Sequence, residues 1–162
     1  YKHLGMFDTG IIATEVLPRI LFENGQGQIA FDLLSSNKET SFAYMKKNGA
    51  TTLWENWSGA DSRNHPMFGS VTKYLFTYLL GIRQPENGAA YKDVVITPCF
   101  VDGMNKAKGH LTTASGVVSV EYVKNGNKAT VKVCADPAIN AVFAYGNVKE
   151  SFSGEAVFEV EI

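Results

Sequence analysis

Only two cysteines, two tryptophans and three histidines occur in this chain of 162 residues. Cys99 and Cys134 are too few for a disulfide framework, and neither has a cysteine or histidine nearby at zinc spacing. Both fall in segments that read as strands, so two buried structural thiols are expected rather than a bridge. Charge of one sign is equally scarce. Fifteen basic residues face 16 acidic ones, and no like-charge run exceeds Lys46-Lys47, which leaves no basic footprint for nucleic acid. No apolar stretch approaches the roughly 20 residues that a membrane-spanning helix needs; the longest, Leu75 to Ile82, is interrupted by Thr77, Tyr78 and Gly81. Internal repeats and low-complexity tracts are absent. The chain begins at Tyr1 without an initiator methionine or a charged-then-apolar leader, and so reads as a mature product or an excised piece of something larger. Localisation stays open: cytoplasm, periplasm and secretion all fit.

What is present suits a soluble globular protein of one ordinary domain or two small ones: 45% apolar residues and a mean hydropathy of -0.07. The hydrophobic period changes along the chain. Ile12, Val16, Ile20 and Leu21 keep helical spacing up to Asn24-Gly25, where Gly25 is a natural stop, although Pro18 should kink or divide that helix. Ile29, Ala30, Leu33 and Leu34 mark a second helix, and Phe42 and Met45 a short third one ending at Asn48-Gly49. Phe68, Val71, Leu75, Tyr78, Leu79 and Ile82 follow i, i+3, i+4, i+7 spacing behind Pro66, which predicts the clearest helix in the chain. The cluster Asn24-Gly25-Gln26-Gly27-Gln28 follows a helix rather than a strand and lacks a Lys-Ser/Thr pair, so it reads as a turn between helices and not a phosphate loop.

Past the turn residues Arg83 to Gly88 the period becomes two. Val94, Ile96 and Pro98; Val118, Val120 and Tyr122; Val131 and Val133; Val142 to Tyr145; and Val157 to Ile162 form short runs separated by turns, with Asn125-Gly126 as a hairpin signal. The expected fold class is therefore α+β, with a helical segment over residues 1–84 and an antiparallel β-sandwich of five or six strands over 91–162.

One stretch concentrates chemistry. Gly49-Ala50-Thr51-Thr52-Leu53-Trp54-Glu55-Asn56-Trp57 sets a carboxylate between two indoles, and Asn64-His65-Pro66-Met67-Phe68-Gly69-Ser70-Val71 follows with a histidine at a helix start. Flat apolar rings stack on the C–H faces of a pyranose, while a carboxylate and an imidazole bond its hydroxyls, so the pattern points to a carbohydrate site. A carboxylate between two indoles is also placed to lose hydration, which disfavours its charged form. The plain alternatives are that Trp54 and Trp57 are core residues and that His65 is a helix-start residue packed beside Pro66. Asp61 and Asp8 are the only other acids nearby, with nothing to fix their geometry. His3 and His110 stand alone in their segments, and the triplet Asn56-Trp57-Ser58 matches a glycosylation sequon incidentally.

The succession of Glu23-Asn24-Gly25, Tyr44-Met45, Gly49 to Trp57, Asn64-His65, Phe68-Gly69-Ser70-Val71 and Leu80-Gly81-Ile82, followed by a β region, resembles the C-terminal end of bacterial α-L-rhamnosidases of glycoside hydrolase family 78. The likeness is specific from Gly49 to Ile82, whereas across the β region only the pattern matches. The resemblance implies the last helices of an (α/α)₆ barrel followed by a C-terminal β-sandwich, in a fragment of a longer enzyme that hydrolyses terminal α-L-rhamnose with inversion. It implies Glu55 as general base and His65 as a contact to the sugar, with Trp54 and Trp57 as further candidates for the substrate site. The general acid lies upstream in that family, and nothing from Tyr1 to Gly49 matches its segment, so this chain alone is expected to be inactive. No cofactor is implied, and no acidic cluster has the ligand count for the calcium that some members hold. The implied partners are a rhamnose-containing carbohydrate, the missing N-terminal part of the enzyme, and a second copy meeting uncovered helix faces. Two other functions compete: a carbohydrate-binding or structural accessory module, and a different (α/α)₆ glycosidase or phosphorylase. The β region has no tryptophan to serve as a sugar platform, which favours a structural role for it.

Overall fold

The computed structural model describes all residues from 1 to 162, which form two compact units, Tyr1–Tyr74 and Leu75–Ile162. The first is helical and the second is built of strands, which makes the fold α+β. Helix α1 (Ile11–Glu23) runs through Pro18 undivided, and the ring is buried along with Thr14 and Phe22. Proline removes one backbone donor but does not end a helix whose flanking turns are held by packing. The buried face differs from the expected one. Ile12, Val16 and Ile20 lie 71%, 36% and 47% exposed, while Ile11, Leu17 and Leu21 pack against the core with Phe7, Leu33 and Met45.

Gly25, at φ +72°, ends α1 in the left-handed conformation that glycine reaches without strain. There Gln26 N–H donates to Leu21 O at 2.8 Å and Gly25 N–H to Phe22 O at 3.2 Å, a helix-ending turn that leads straight into α2 (Gly27–Leu34). Helix α3 (Phe42–Lys47) is capped by the buried Ser41, whose Oγ accepts from Tyr44 N–H at 3.1 Å.

The expected long helix from Phe68 to Ile82 is corrected. Pro66–Val71 is a 3-10 turn, Thr72–Tyr74 a single α turn and Leu75–Leu79 a π turn, and Ile82 belongs to a strand. One apolar pattern serves two cores here: Phe68 joins the core of the first unit, and Leu80 and Ile82 that of the second. The π turn closes with Leu80 N–H on Leu75 O at 2.9 Å. At Gly81, φ +75°, an added Cβ would lie 2.2 Å from the carbonyl carbon of Thr97, so the chain must turn on a residue with no side chain.

In the second unit, strands β1 (Ile82–Arg83), β2 (Asp93–Ile96), β6 (Asn140–Tyr145) and β7 (Val148–Phe152) form one sheet in that order. Strands β3 (Lys106–Thr113), β4 (Gly116–Asn125), β5 (Lys128–Ala135) and β8 (Gly154–Glu161) form the other. Both sheets contribute to one core. Val94, Ile96 and Phe143 from the first meet Val120, Tyr122, Val133 and Phe158 from the second, and Phe143 stacks on Phe158 at 4.2 Å. The hairpin expected at Asn125-Gly126 is present, with Asn125 paired to Lys128 and Gly126 at φ +63°. Two details depart from an all-antiparallel sandwich of five or six strands. The β2–β6 ladder is parallel, and β1, β3 and β7 raise the count to eight. Pro98 lies outside β2, as a residue without a backbone donor should. Cys99 and Cys134 are free and half-buried, and burial pushes the Cys99 thiol up from its ordinary value.

Candidate active site

The helical unit presents the carboxylate on a loop that is more tightly built than its turn-rich sequence suggests. Helix α3 stops at Asn48, and Gly49, at φ +88°, lets the chain reverse so that Ala50 N–H returns to Met45 O at 3.0 Å. From there the outgoing arm, Thr51 to Asn56, and the return arm, Asp61 to His65, face each other. His65 N–H donates to Leu53 O and Glu55 N–H to Ser62 O, each at 2.8 Å, and the Thr52 hydroxyl donates to Arg63 O. Glu55 and His65 thereby sit on opposing arms of one short ladder. The tip is tied by Asn56, whose amide N–H donates to Asp61 and whose Oδ1 accepts from Ser58 Oγ at 2.8 Å and Ala60 N–H at 3.3 Å.

Two indoles anchor this loop from beneath. Trp57 stacks on Phe7 at 5.6 Å, lies 4.1 Å from Phe68 and meets Phe42 edge-on, while its Nε1–H donates to Thr9 O at 2.7 Å. Trp54 is buried too. A Cβ on Gly59 would come 2.6 Å from its ring, and the Arg63 guanidinium lies over that ring at 5.3 Å. At 4% and 9% exposure, Trp54 and Trp57 are packed as core residues, the plain alternative that the sequence offered for both. The same placement explains why Glu55 is half-buried rather than enclosed: the flanking rings point into the core instead of closing over the carboxylate.

The Glu55 carboxylate accepts Ser62 N–H on Oε2 at 3.3 Å. The peptide of residue 62 therefore holds Glu55 twice, through its carbonyl on the main chain and its N–H on the side chain. A carboxylate held by one backbone donor keeps most of its acceptor sites for a water or a hydroxyl. His65 caps the 3-10 turn, with Nδ1 accepting Met67 N–H at 3.4 Å. An accepting Nδ1 bears no proton, so the neutral ring carries its hydrogen on Nε2, which becomes a donor for an incoming hydroxyl.

Asp61 is engaged by Asn56, and Asp8 accepts the Tyr1 hydroxyl at 2.6 Å, so each acid already serves a local bond. That bond raises the Tyr1 hydroxyl above its ordinary value. A cavity of about 310 Å³ lies at the root of the loop, lined by Phe42, Met45, Lys46, Ala50, Thr51, Thr52 and Leu53, and Glu55 is not among its walls. No group of three or more His, Cys, Asp or Glu side chains is gathered to hold a metal ion. Sequence reasoning missed Ser62, Arg63 and Gly59. Gly59 alone had a signal, as a glycine beside a cluster of turn residues.

Comparison with known proteins agrees with this architecture. Residues 2–79 match the model of the bacterial alpha-L-rhamnosidase 6 hairpin glycosidase domain, and residues 81–137 that of the bacterial alpha-L-rhamnosidase C-terminal domain. An alpha-L-rhamnosidase from Alteromonas sp. (strain LOR) is 28% identical over 146 residues, which cover 83% of this chain and 16% of that protein. The structure of an alpha-L-rhamnosidase from Dictyoglumus thermophilum superposes with a TM-score of 0.86 at 24% identity, over 99% of this chain and 22% of its own. That of the Streptomyces avermitilis alpha-L-rhamnosidase complexed with L-rhamnose gives 0.80 at 24% identity, over 99% and 18%. At that identity the two structures establish the fold. A helical unit bearing a carboxylate loop, followed by a β-sandwich unit, thus corresponds to the end of a six-hairpin glycosidase domain and the domain after it. The chain belongs to the bacterial α-L-rhamnosidase family, and spans about a fifth or less of the length of the relatives it matches.

Proposed function

We propose that this chain is the C-terminal portion of a longer inverting glycosidase that removes terminal α-L-rhamnose from glycosides or polysaccharides, with Glu55 as general base. The observation that carries this reading is the Glu55 loop itself. One carboxylate is held by the Ser62 peptide on a ladder whose opposite arm ends in His65, a ring with a free donor. In an inverting mechanism the base takes a proton from a water that attacks the sugar from the side opposite the leaving group. The two carboxyl groups then stand roughly 6.5 to 9.5 Å apart to admit that water. Glu55 supplies the basic half of this arrangement. His65 Nε2–H orients a sugar hydroxyl, and Trp54 and Trp57 act from below by fixing the loop. The general acid belongs to the part of the enzyme outside these 162 residues, so the chain alone does not turn over substrate.

The names of the relatives support the substrate class, and the order of the two matched domains supports the placement at the C-terminal end. Turnover of an aryl α-L-rhamnoside by the full-length enzyme, wild type against Glu55→Gln, tests the base. A loss on the order of 10² or more is expected from removing a positioned base. Undiminished turnover would make the loop structural, and following the anomeric configuration of the released sugar by NMR separates inversion from retention.

A further inference from the structure

The return arm of the loop, not the outgoing one, supplies the donor to the Glu55 carboxylate, so whatever holds the return arm sets where that carboxylate points. Arg63 lies next to the donor residue Ser62 and is fixed at three places. Its Nε donates to Gly59 O at 3.1 Å, its guanidinium lies over the buried Trp54 ring at 5.3 Å, and its own carbonyl accepts the Thr52 hydroxyl. Trp54 directly precedes Glu55. The arginine therefore clamps the arm that donates to the carboxylate against the residue that carries the carboxylate along the chain. Gly59 completes the clamp, because any side chain there would strike Trp54 and lift the tip away from Arg63.

We infer that Arg63 is a positioning residue for Glu55: it sets the direction of the base carboxylate through the Ser62 peptide without touching the sugar. This rests on Glu55 being the base. A cation over an indole is replaceable in part by lysine, which keeps the charge above the ring but not the planar N–H fork that reaches Gly59. Displacing a catalytic group by about 1 Å is enough to slow a reaction on the order of 10²-fold.

The test is a double-mutant cycle on the full-length enzyme with an aryl α-L-rhamnoside. Arg63→Ala should lower kcat about 10-fold or more with KM changed by less than about twofold, because the interaction lost acts on the transition state and not on binding. Arg63→Lys should recover part of that loss, since it keeps the charge over the indole but not the bond to Gly59 O. In a Glu55→Gln background, Arg63→Ala should add no further loss, since the group it positions is gone. The inference is overturned if Arg63→Ala leaves kcat intact, if it raises KM with kcat unchanged, as a direct sugar contact would, or if the loss is equal in both backgrounds. Should Arg63→Ala fail to fold by its thermal melt, Arg63→Gln, which keeps a donor for Gly59 O, is read by the same criteria. Glu55→Gln with undiminished turnover would sink the base assignment and this inference together. A large Glu55→Gln loss beside an unaffected Arg63→Ala would sink this inference alone.

Discussion

The two units bury their apolar residues in opposite styles. In the β unit both sheets turn one face inward, and the large side chains that the alternation points in, such as Tyr122, Phe143, Val131 and Val133, are fully buried. In the helical unit the core is a knot of aromatic rings around Trp57, and the most regular apolar stripe of its longest helix, Ile12, Val16 and Ile20, faces outward. A sheet pair closes on itself, because each sheet is the cover of the other. Three short helices and a loop have no such cover for every face. The unit that covers its own apolar faces is thus distinct from the unit that holds the Glu55 loop. Both tryptophans lie in the helical unit, so indole fluorescence reports that unit alone, while far-ultraviolet circular dichroism sums the strands and the helices.

The largest expected effect lies in the self-covered unit. Phe143 is fully buried and stacked on Phe158, and Phe143→Ala leaves a cavity where the two sheets meet. It should destabilise the β unit by about 3 to 5 kcal/mol, read as a lower urea midpoint in circular dichroism. A loss below about 1 kcal/mol would mean that the sandwich is looser than its packing implies.

Next comes a pH effect in the same core. Tyr122 is fully buried with its hydroxyl on Met104 Sδ at 3.2 Å, and burial pushes that hydroxyl from 10.0 up to about 12. Above pH 10 the unfolded chain releases this proton while the folded one keeps it, so the unfolded state gains and stability falls as pH rises through the folded value. The loss should reach about 2 to 3 kcal/mol across that window. Tyr122→Phe should flatten the alkaline slope of urea midpoints; an unchanged slope would place the titration elsewhere.

A smaller effect is expected in the helical unit. Trp57→Phe keeps a ring against Phe7 and Phe68 but removes the Nε1–H that satisfies Thr9 O, which should cost about 1 to 2 kcal/mol. Fluorescence from the remaining Trp54 should show the earlier transition while the β unit's share of the circular dichroism transition stays put. If both signals move together, the two units unfold as one.

How much of this was legible in the sequence depends on whether one local rule decided the outcome. Helices α1 to α3 and the β4–β5 hairpin follow from spacing, Gly25, Gly49 and Asn125-Gly126, where period and stop signal agree. Strand β3 escaped because its inward positions are Ala107, Gly109 and Leu111; small residues are needed where Leu80 and Phe76 crowd the backbone, and they erase the alternation. The helix from Phe68 was overextended because a single 3.6-residue pattern cannot reveal that its two ends feed different cores. Glu55 and His65 could be picked out as a constellation, but the burial of Trp57 was decided by its packing on Phe7, Phe42 and Phe68, of which Phe7 comes from far along the chain. The Ser62 donor is a backbone atom, and no side-chain pattern announces it.

The finest test of the contrast between the units is also the smallest in stability. Ile12 and Ile20 are 71% and 47% exposed in this chain, so Ile12→Ser with Ile20→Ser removes little buried contact and should shift the urea midpoint by no more than about 0.5 kcal/mol in free energy. In a self-covered domain such a pair would go unnoticed by any other measurement. Here the stripe is apolar, lies on one helix face with Val16 between the two substitutions, and has no cover of its own, so association between copies is the means by which the free chain would hide it from water. Sedimentation of the 162-residue chain should therefore show concentration-dependent association that the double serine variant abolishes. If the wild-type chain sediments as a compact monomer at every concentration with a single cooperative melt, the stripe is tolerated by water. The helical unit would then stand closer to the self-sufficient β unit than its exposed isoleucines imply.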